Sequence, residues 1–163
     1  MIKLPKKKDS FEFENNFYFT CNNDRISKIV IQYELFLKTQ KIKGDIVECG
    51  VFKGTSLIRF GVFRDILKNK SKKIIGFDTF GEFPSAGFSK DVKQREKFLE
   101  QTGGESISDK QLTRIFKDKK ISKKLELVKG DIMKTIPEYV KKHPSMKISL
   151  LNLDVDLYEP TKI

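Results

Sequence analysis

Four short apolar runs alternate with stretches whose apolar residues recur at helical spacing. The runs are Asp45-Ile-Val-Glu-Cys49, Lys73-Ile-Ile-Gly-Phe77, Leu125-Glu-Leu-Val128 and Ile148 to Leu153, each stopped by a glycine or an acid. Antiparallel neighbours can be joined by a two-residue turn, but parallel ones need a crossover long enough to hold a helix. Strict alternation of strand and helix therefore predicts a parallel sheet with helices packed on it, an α/β fold. The first, second and fourth runs are apolar at consecutive positions, as expected where both faces of a strand are covered.

The crossovers carry their own punctuation. Ile26, Ile29, Val30, Tyr33 and Phe36 or Leu37 mark a helix from Arg25, with Asn22 to Asp24 as possible caps. A second helix follows Gly54-Thr55-Ser56 and turns Ile58, Val62, Phe63, Ile66 and Leu67 toward a core. Residues 79 to about 90 hold Phe80, Phe83, Pro84 and Phe88 among Gly and Ser and read as a loop. Of two weaker helices after it, the better has Ser108 and Gln111 placed as a capping box. Thr135 and Glu138 form a second such pair, with Pro137 in the first turn of a helix running to about Lys142. Residues 1–24 read as an N-terminal arm, irregular and packing Phe11, Phe13, Phe17, Tyr18 and Phe19 on the body; residues 25–163 form the domain.

Composition narrows the function classes. A chain of 163 residues makes one domain, and fourteen Phe argue against disorder. No run of about eighteen apolar residues occurs and the basic start lacks an apolar stretch, so neither a membrane span nor a secretory signal is expected. Cys21 and Cys49 fit no metal or redox spacing, and a reduced, cytoplasmic setting follows. The net charge of +11 raises a polyanionic partner. The lysines, however, lie mostly between apolar segments, where solvated helix ends and loops are expected. Neither a nucleic-acid nor a membrane partner is expected.

In open α/β sheets ligands bind beyond the carboxyl ends of the strands. Each of those ends carries an acid: Glu48, Asp78, Asp131 and Asp154. Together they describe a crevice rich in hydrogen-bond acceptors, suited to a ligand with hydroxyl and amino groups such as a nucleoside. The first turn, Glu48-Cys-Gly50-Val51-Phe-Lys-Gly54-Thr55-Ser56, has glycines where backbone must pass close to a ligand or to the next helix. It is neither a P-loop nor a dinucleotide fingerprint, which favours a ligand without phosphate. Asp78, at the end of the second strand, stands where a carboxylate can accept the hydroxyls of a ribose; it could equally cap the loop.

GDIVECGVFKGTS, IIGFDTFGEFP, KGDI and LLNLDVDLYEPTK, in that order, resemble the macrocin O-methyltransferase-like (TylF-type) family of class I methyltransferases, from about Gly44 to Ile163. The resemblance implies a Rossmann-like sheet with helices on both faces and strand order 3-2-1-4, and S-adenosylmethionine as cofactor. It implies methyl transfer to a hydroxyl of a small, sugar-containing molecule. Glu48, Gly50, Val51 and Gly54 would shape the pocket for the methionine part, and Thr55 and Ser56 would bind its carboxylate at a helix start. Asp78 would hold the ribose, with Thr79 and Phe80 beside it, and Asp131 and Ile132 would meet the adenine. Phe80 and Phe83 would belong to a covering loop.

By the same resemblance Asp154 would help bind a divalent metal, usually Mg²⁺, and Asp156 would act as general base. In a regular strand the two would point to one side. Asp156 could instead serve the following turn structurally. The family continues past this segment with a helix, a fifth strand ending in acids that complete the metal site, and further strands. A truncated chain, strands one to four only, is therefore expected, with strand four as an open apolar edge that a second copy could cover. Two other functions stay open: a non-catalytic nucleoside-binding or interaction module, and an RNA-binding protein or RNA methyltransferase. His143, the only histidine, is expected at a helix end without a catalytic role.

Overall fold

Four parallel strands pair in the order β3-β2-β1-β4 in a computed structural model that describes residues 2–83 and 89–162. β1 (Asp45–Cys49) is flanked by β2 (Ile74–Asp78) and β4 (Ile148–Leu153), and β3 (Leu125–Lys129) closes the far side. The expected α/β class and strand order are both found. So are the bounds of β1 and β4.

Seven α-helices and a short 3-10 helix (Lys7–Asp9) complete the described residues: α1 (Ser10–Thr20), α2 (Asn23–Lys38), α3 (Thr55–Ile66), α4 (Ser89–Thr102), α5 (Asp109–Asp118), α6 (Ile132–Lys142) and α7 (Tyr158–Thr161). Alternation along β1 and β2 sends successive side chains to opposite faces. Ile46, Ile74 and Leu150 meet Phe36 of α2, Leu57, Phe60 and Phe63 of α3, and Leu112 and Phe116 of α5. Val47, Cys49, Ile75 and Phe77 meet Tyr139 of α6 on the other face. β1 and β2 are thus buried on both sides, as their unbroken apolar runs require. β4 is not: Ile148, Leu151 and Leu153 are about half exposed along the free edge.

Three expectations need correction. Ile66, expected to face the core from α3, lies at the end of that helix and is 62% exposed. The N-terminal arm is not irregular and does not bury its aromatics. Residues 10–20 form α1, which has no buried residue; Phe11 and Phe19 are 76% and 80% exposed. Of the arm's described residues, Ile2 and Leu4 pack on the core, and Gln111 Nε2 donates to the Ile2 carbonyl. The Thr135–Glu138 box also fails to start a helix. Asp131 caps α6 earlier, its Oδ1 accepting from the Met133 N–H at 3.0 Å, so Pro137 lies inside the helix and Thr135 Oγ1 is buried without a partner. The other two caps form: Asn22 accepts from the Arg25 N–H, and Ser108 and Gln111 make a complete capping box. Pro84 and Phe88, expected in the loop after β2, lie outside the described residues.

Candidate active site

Hydrogen bonds of the sheet continue past the strand ends and fix the loops that leave them. Gly50 N–H donates to Phe77 O, Asp154 N–H to Cys49 O and Gly130 N–H to Asp78 O, each at 2.9 Å. Gly50 has φ +84°, and a Cβ there would lie 2.1 Å from the Asp154 carbonyl oxygen. The first and fourth loops therefore touch backbone to backbone, which no residue but glycine permits.

Asp78 organises the turn between them. Its Oδ2 accepts from the Val51 N–H at 2.8 Å and the Phe52 N–H at 3.0 Å, and its Oδ1 from the Phe80 N–H at 2.7 Å and Ser106 Oγ at 3.2 Å. The loop-capping role is therefore present whatever else Asp78 holds. Phe52 and Phe80 both carry positive φ, 49° and 50°, a strained state for a bulky side chain that these bonds over-determine. Phe52 is held from its other side by Ile107 N–H and Ser106 Oγ, both donating to its carbonyl.

These loops enclose a cavity of about 560 Å³ at the carboxyl end of the sheet. That volume is ordinary for a small-molecule site. Its walls are Gly50 and Phe52, Asp78 and Thr79, Asp131 with Ile132 and Met133, and the segment from Asp154 to Leu157. Phe83 and Phe98 stack at 4.5 Å between centroids and close one side, with Gly104 and Ser106 nearby. The acids Asp78, Asp91, Asp131, Asp154, Asp156 and Glu159 all face it, and no lysine, arginine or histidine is among the described lining residues.

Of the expected site residues, Gly50, Asp78, Thr79, Asp131, Ile132, Asp154 and Asp156 come together on this cavity. Glu48, Val51, Gly54, Thr55, Ser56 and Phe80 do not line it. Glu48, Val51, Ser56 and Phe80 are buried behind its floor, and Gly54 and Thr55 sit at the start of α3. Glu48 is fully buried. Its Oε1 accepts from Asn152 Nδ2 at 2.8 Å and from Ser56 Oγ, while Oε2 has no partner. Burial above all, with the Asp154 charge adding, pushes its pKa up to about 8.

Asp154 and Asp156 leave β4 irregularly and not as a continued strand. Asp154 pairs with Lys28 of α2 at 3.0 Å, and Asp156 takes φ 59°. Burial, then the neighbouring Asp154, raises the Asp156 pKa above the ordinary carboxylate value. A divalent Mg²⁺ needs about six oxygen ligands. Among the described residues no group of three or more His, Cys, Asp or Glu could hold a metal, and one of the two carboxylates already carries an ammonium. These residues do not by themselves fit Mg²⁺.

Several wall residues escaped sequence reading, among them Asp91, Phe98, Ser106 and Met133. Asp91 of α4 is 5% exposed and accepts from the Tyr158 N–H at 2.9 Å, tying α4 to the start of α7. Phe98 and Ser106 come from the same excursion between β2 and β3. Nothing in their local pattern marks them; only the fold brings them to the strand ends. His143 caps the end of α6 beside the Tyr139 ring, as expected.

A sequence model of one family, described as Macrocin-O-methyltransferase (TylF), matches residues 22–162. No curated protein sequence matches the chain. Among solved structures, the calicheamicin methyltransferase CalS11 is 26% identical with a TM-score of 0.74, covering 96% of this chain and 64% of its own. Its apo form, described as TDP-rhamnose 3'-O-methyltransferase, is 25% identical with a TM-score of 0.60, over 98% of this chain and 63% of its own. The O-methyltransferase NovP, at 21% identity and a TM-score of 0.66 over 84% of this chain and 55% of its own, shares the fold. The chain therefore spans less than two thirds of the length of these relatives.

Proposed function

The chain belongs to the macrocin-O-methyltransferase family, and from that premise we propose that it forms the cofactor-binding part of an S-adenosylmethionine-dependent O-methyltransferase acting on a hydroxyl of a small, sugar-containing acceptor. One observation carries the reading: the cavity at the strand ends is lined by carboxylates and apolar groups, with no basic side chain among its described residues. Such a lining suits a ligand that is cationic, aromatic and rich in hydroxyls, and it disfavours a phosphate. CalS11, described as a TDP-rhamnose 3'-O-methyltransferase, supports the acceptor class.

When bound, S-adenosylmethionine supplies an electrophilic methyl group on a sulfonium. The chain's residues bind and orient. Ile132 and Met133 offer an apolar wall for the adenine, with Asp131 at its edge. Thr79 and Ser106 flank the Asp78 carboxylate where the ribose hydroxyls would lie. Thr55, at the start of α3, does not line the cavity and takes no ligand contact in this reading. Glu48, Val51, Gly54, Ser56 and Phe80 hold this floor from behind. Asp156 takes the acceptor's hydroxyl proton, and its raised pKa moves it toward the range a general base needs. No step runs through Mg²⁺, because among the described residues no three of these carboxylates gather closely enough to hold it; Asp154 would be one ligand if others were supplied.

Pairing of two copies along the exposed β4 edge, and action in a reducing, cytoplasmic setting where Cys21 and Cys49 stay free, belong to the same proposal. A second reading is cofactor binding without transfer, since among the described residues Asp154 pairs with Lys28 and no group of three or more ligands gathers around it. Incubation with methyl-labelled S-adenosylmethionine and a panel of nucleotide sugars separates the two. Label in a sugar, lost in Asp156→Asn with cofactor binding retained, supports the methyltransferase. Binding without label in any sugar, with Mg²⁺ present, supports the second reading.

A further inference from the structure

The pole opposite the cavity is built from the four loops that enter the strands, residues 39–44, 67–73, 119–124 and 143–147. None of them contains an Asp or a Glu, and every one contains lysine. Lys41 and Lys43 stand exposed on the first, Lys68 and Lys70 on the second, Lys123 and Lys124 on the third. Lys147 is exposed on the fourth. The nearest acids are largely engaged: Asp45 accepts the Lys73 N–H, Glu126 binds Lys73 Nζ at 2.9 Å and the Tyr139 hydroxyl, and Asp118 lies 3.9 Å from Arg114. Glu34 on α2, Asp65 on α3 and Glu138 on α6 are further carboxylates on helices that end at these loops.

The loops are fixed and not merely tethered. Two buried cations join them through carbonyl oxygens. Lys72 Nζ donates to Ile42 O at 2.7 Å, Gly44 O at 3.1 Å and Ser149 Oγ at 2.8 Å. Arg64 donates to Lys72 O at 3.0 Å and Ile121 O at 2.7 Å. The first, second and third loops and the start of β4 thus form one platform. Large apolar side chains stand among its lysines. Ile42, between Lys41 and Lys43, is 50% exposed, and Ile66, at the end of α3, is 62% exposed.

We infer that this pole is a docking face for an anionic lipid bilayer. Lysines act as point charges toward lipid phosphates, and isolated isoleucines among them can enter the headgroup boundary. A nucleic-acid face would instead call for arginine forks or aromatic stacking. The four loops contain no arginine and no Phe, Tyr or Trp, and their one aromatic ring, His143, already packs against Tyr139 at 4.3 Å. Docking here would leave the acid-lined cavity facing away from the membrane. No described helix is long and apolar enough to cross a membrane, and a peripheral face needs none. Lysines at helix carboxyl ends also complement the helix dipoles; that role predicts a change in stability on substitution and no lipid binding.

Sedimentation of the full chain with phosphatidylcholine vesicles, with and without phosphatidylglycerol, tests the inference. The chain should pellet with the anionic vesicles only, and high salt should release it. Lys41→Ser with Lys43→Ser should weaken binding about twenty-five-fold, at about fivefold per lysine, with an unchanged melting curve. Ile42→Ser should weaken binding while leaving its salt dependence intact. Failure to pellet with anionic vesicles overturns the inference, as does equal binding to neutral ones. Retention on single-stranded RNA with no vesicle binding also overturns it and assigns the face to nucleic acid.

Discussion

Gly50 and Gly54 show how little freedom the site leaves to single residues. At Gly50 any Cβ would strike the Asp154 carbonyl, so Gly50→Ala should fail to give a cooperative thermal transition. Gly54 has φ +77°, and its Cβ would lie 2.7 Å from a flexible Leu112 methyl. Gly54→Ala should therefore fold but lose about 1–2 kcal/mol in urea denaturation, chiefly from the left-handed backbone. Glu48 makes a pH-dependent prediction. Its folded pKa, about 8, lies above the unfolded value of 4.5, so the folded state holds the proton more tightly. The stability from that proton is fully present below pH 4.5 and is lost as pH rises through 8. Glu48→Gln keeps an acceptor for Ser56 and Asn152 and removes the titration. Its urea midpoint should be flatter across that window than the wild type's. Equal slopes would show that Glu48 is ionised in the fold.

Elements with a buried face were legible in the sequence, and those without one were not. The four strands and α2, α3 and α5 each carry a periodic apolar face because each covers the sheet or lies in it. α1 turns no residue inward, so no periodicity betrayed it, and its aromatics suggested packing that does not occur. α6 starts one turn before the Thr135–Glu138 box, with its cap at Asp131. That start places Ile132 and Ile136 on the Phe77 face of the sheet. The Ser108 box forms where expected, and Ser108→Ala should cost about 1 kcal/mol in thermal unfolding. For the site, the acids were legible because strand ends are legible. Asp91, Phe98 and Ser106 were not, since their position depends on how residues 89–107 fold back over the strand ends. Asp91→Ala should remove the carboxylate that accepts from the Tyr158 and Glu159 amides. Faster amide exchange at Tyr158 and Glu159, with little change at β1, is the expected signature.

The whole molecule is polarised. Its excess of lysine crowds the entry end of the sheet, while the exit end gathers carboxylates around one cavity. A net charge of +11 therefore says nothing adverse about a cationic ligand, because the charge and the cavity sit at opposite poles. The central claim is that this cavity takes S-adenosylmethionine or its product. Calorimetric titration of the chain with S-adenosylhomocysteine tests it most directly, beside Met133→Trp, which fills the cavity from an exposed position on α6. The account predicts a saturable one-to-one isotherm, weakened at least about tenfold in the variant while its melting curve is unchanged. A folded chain that shows no heat of binding, or a variant that binds as tightly as the wild type, would contradict it.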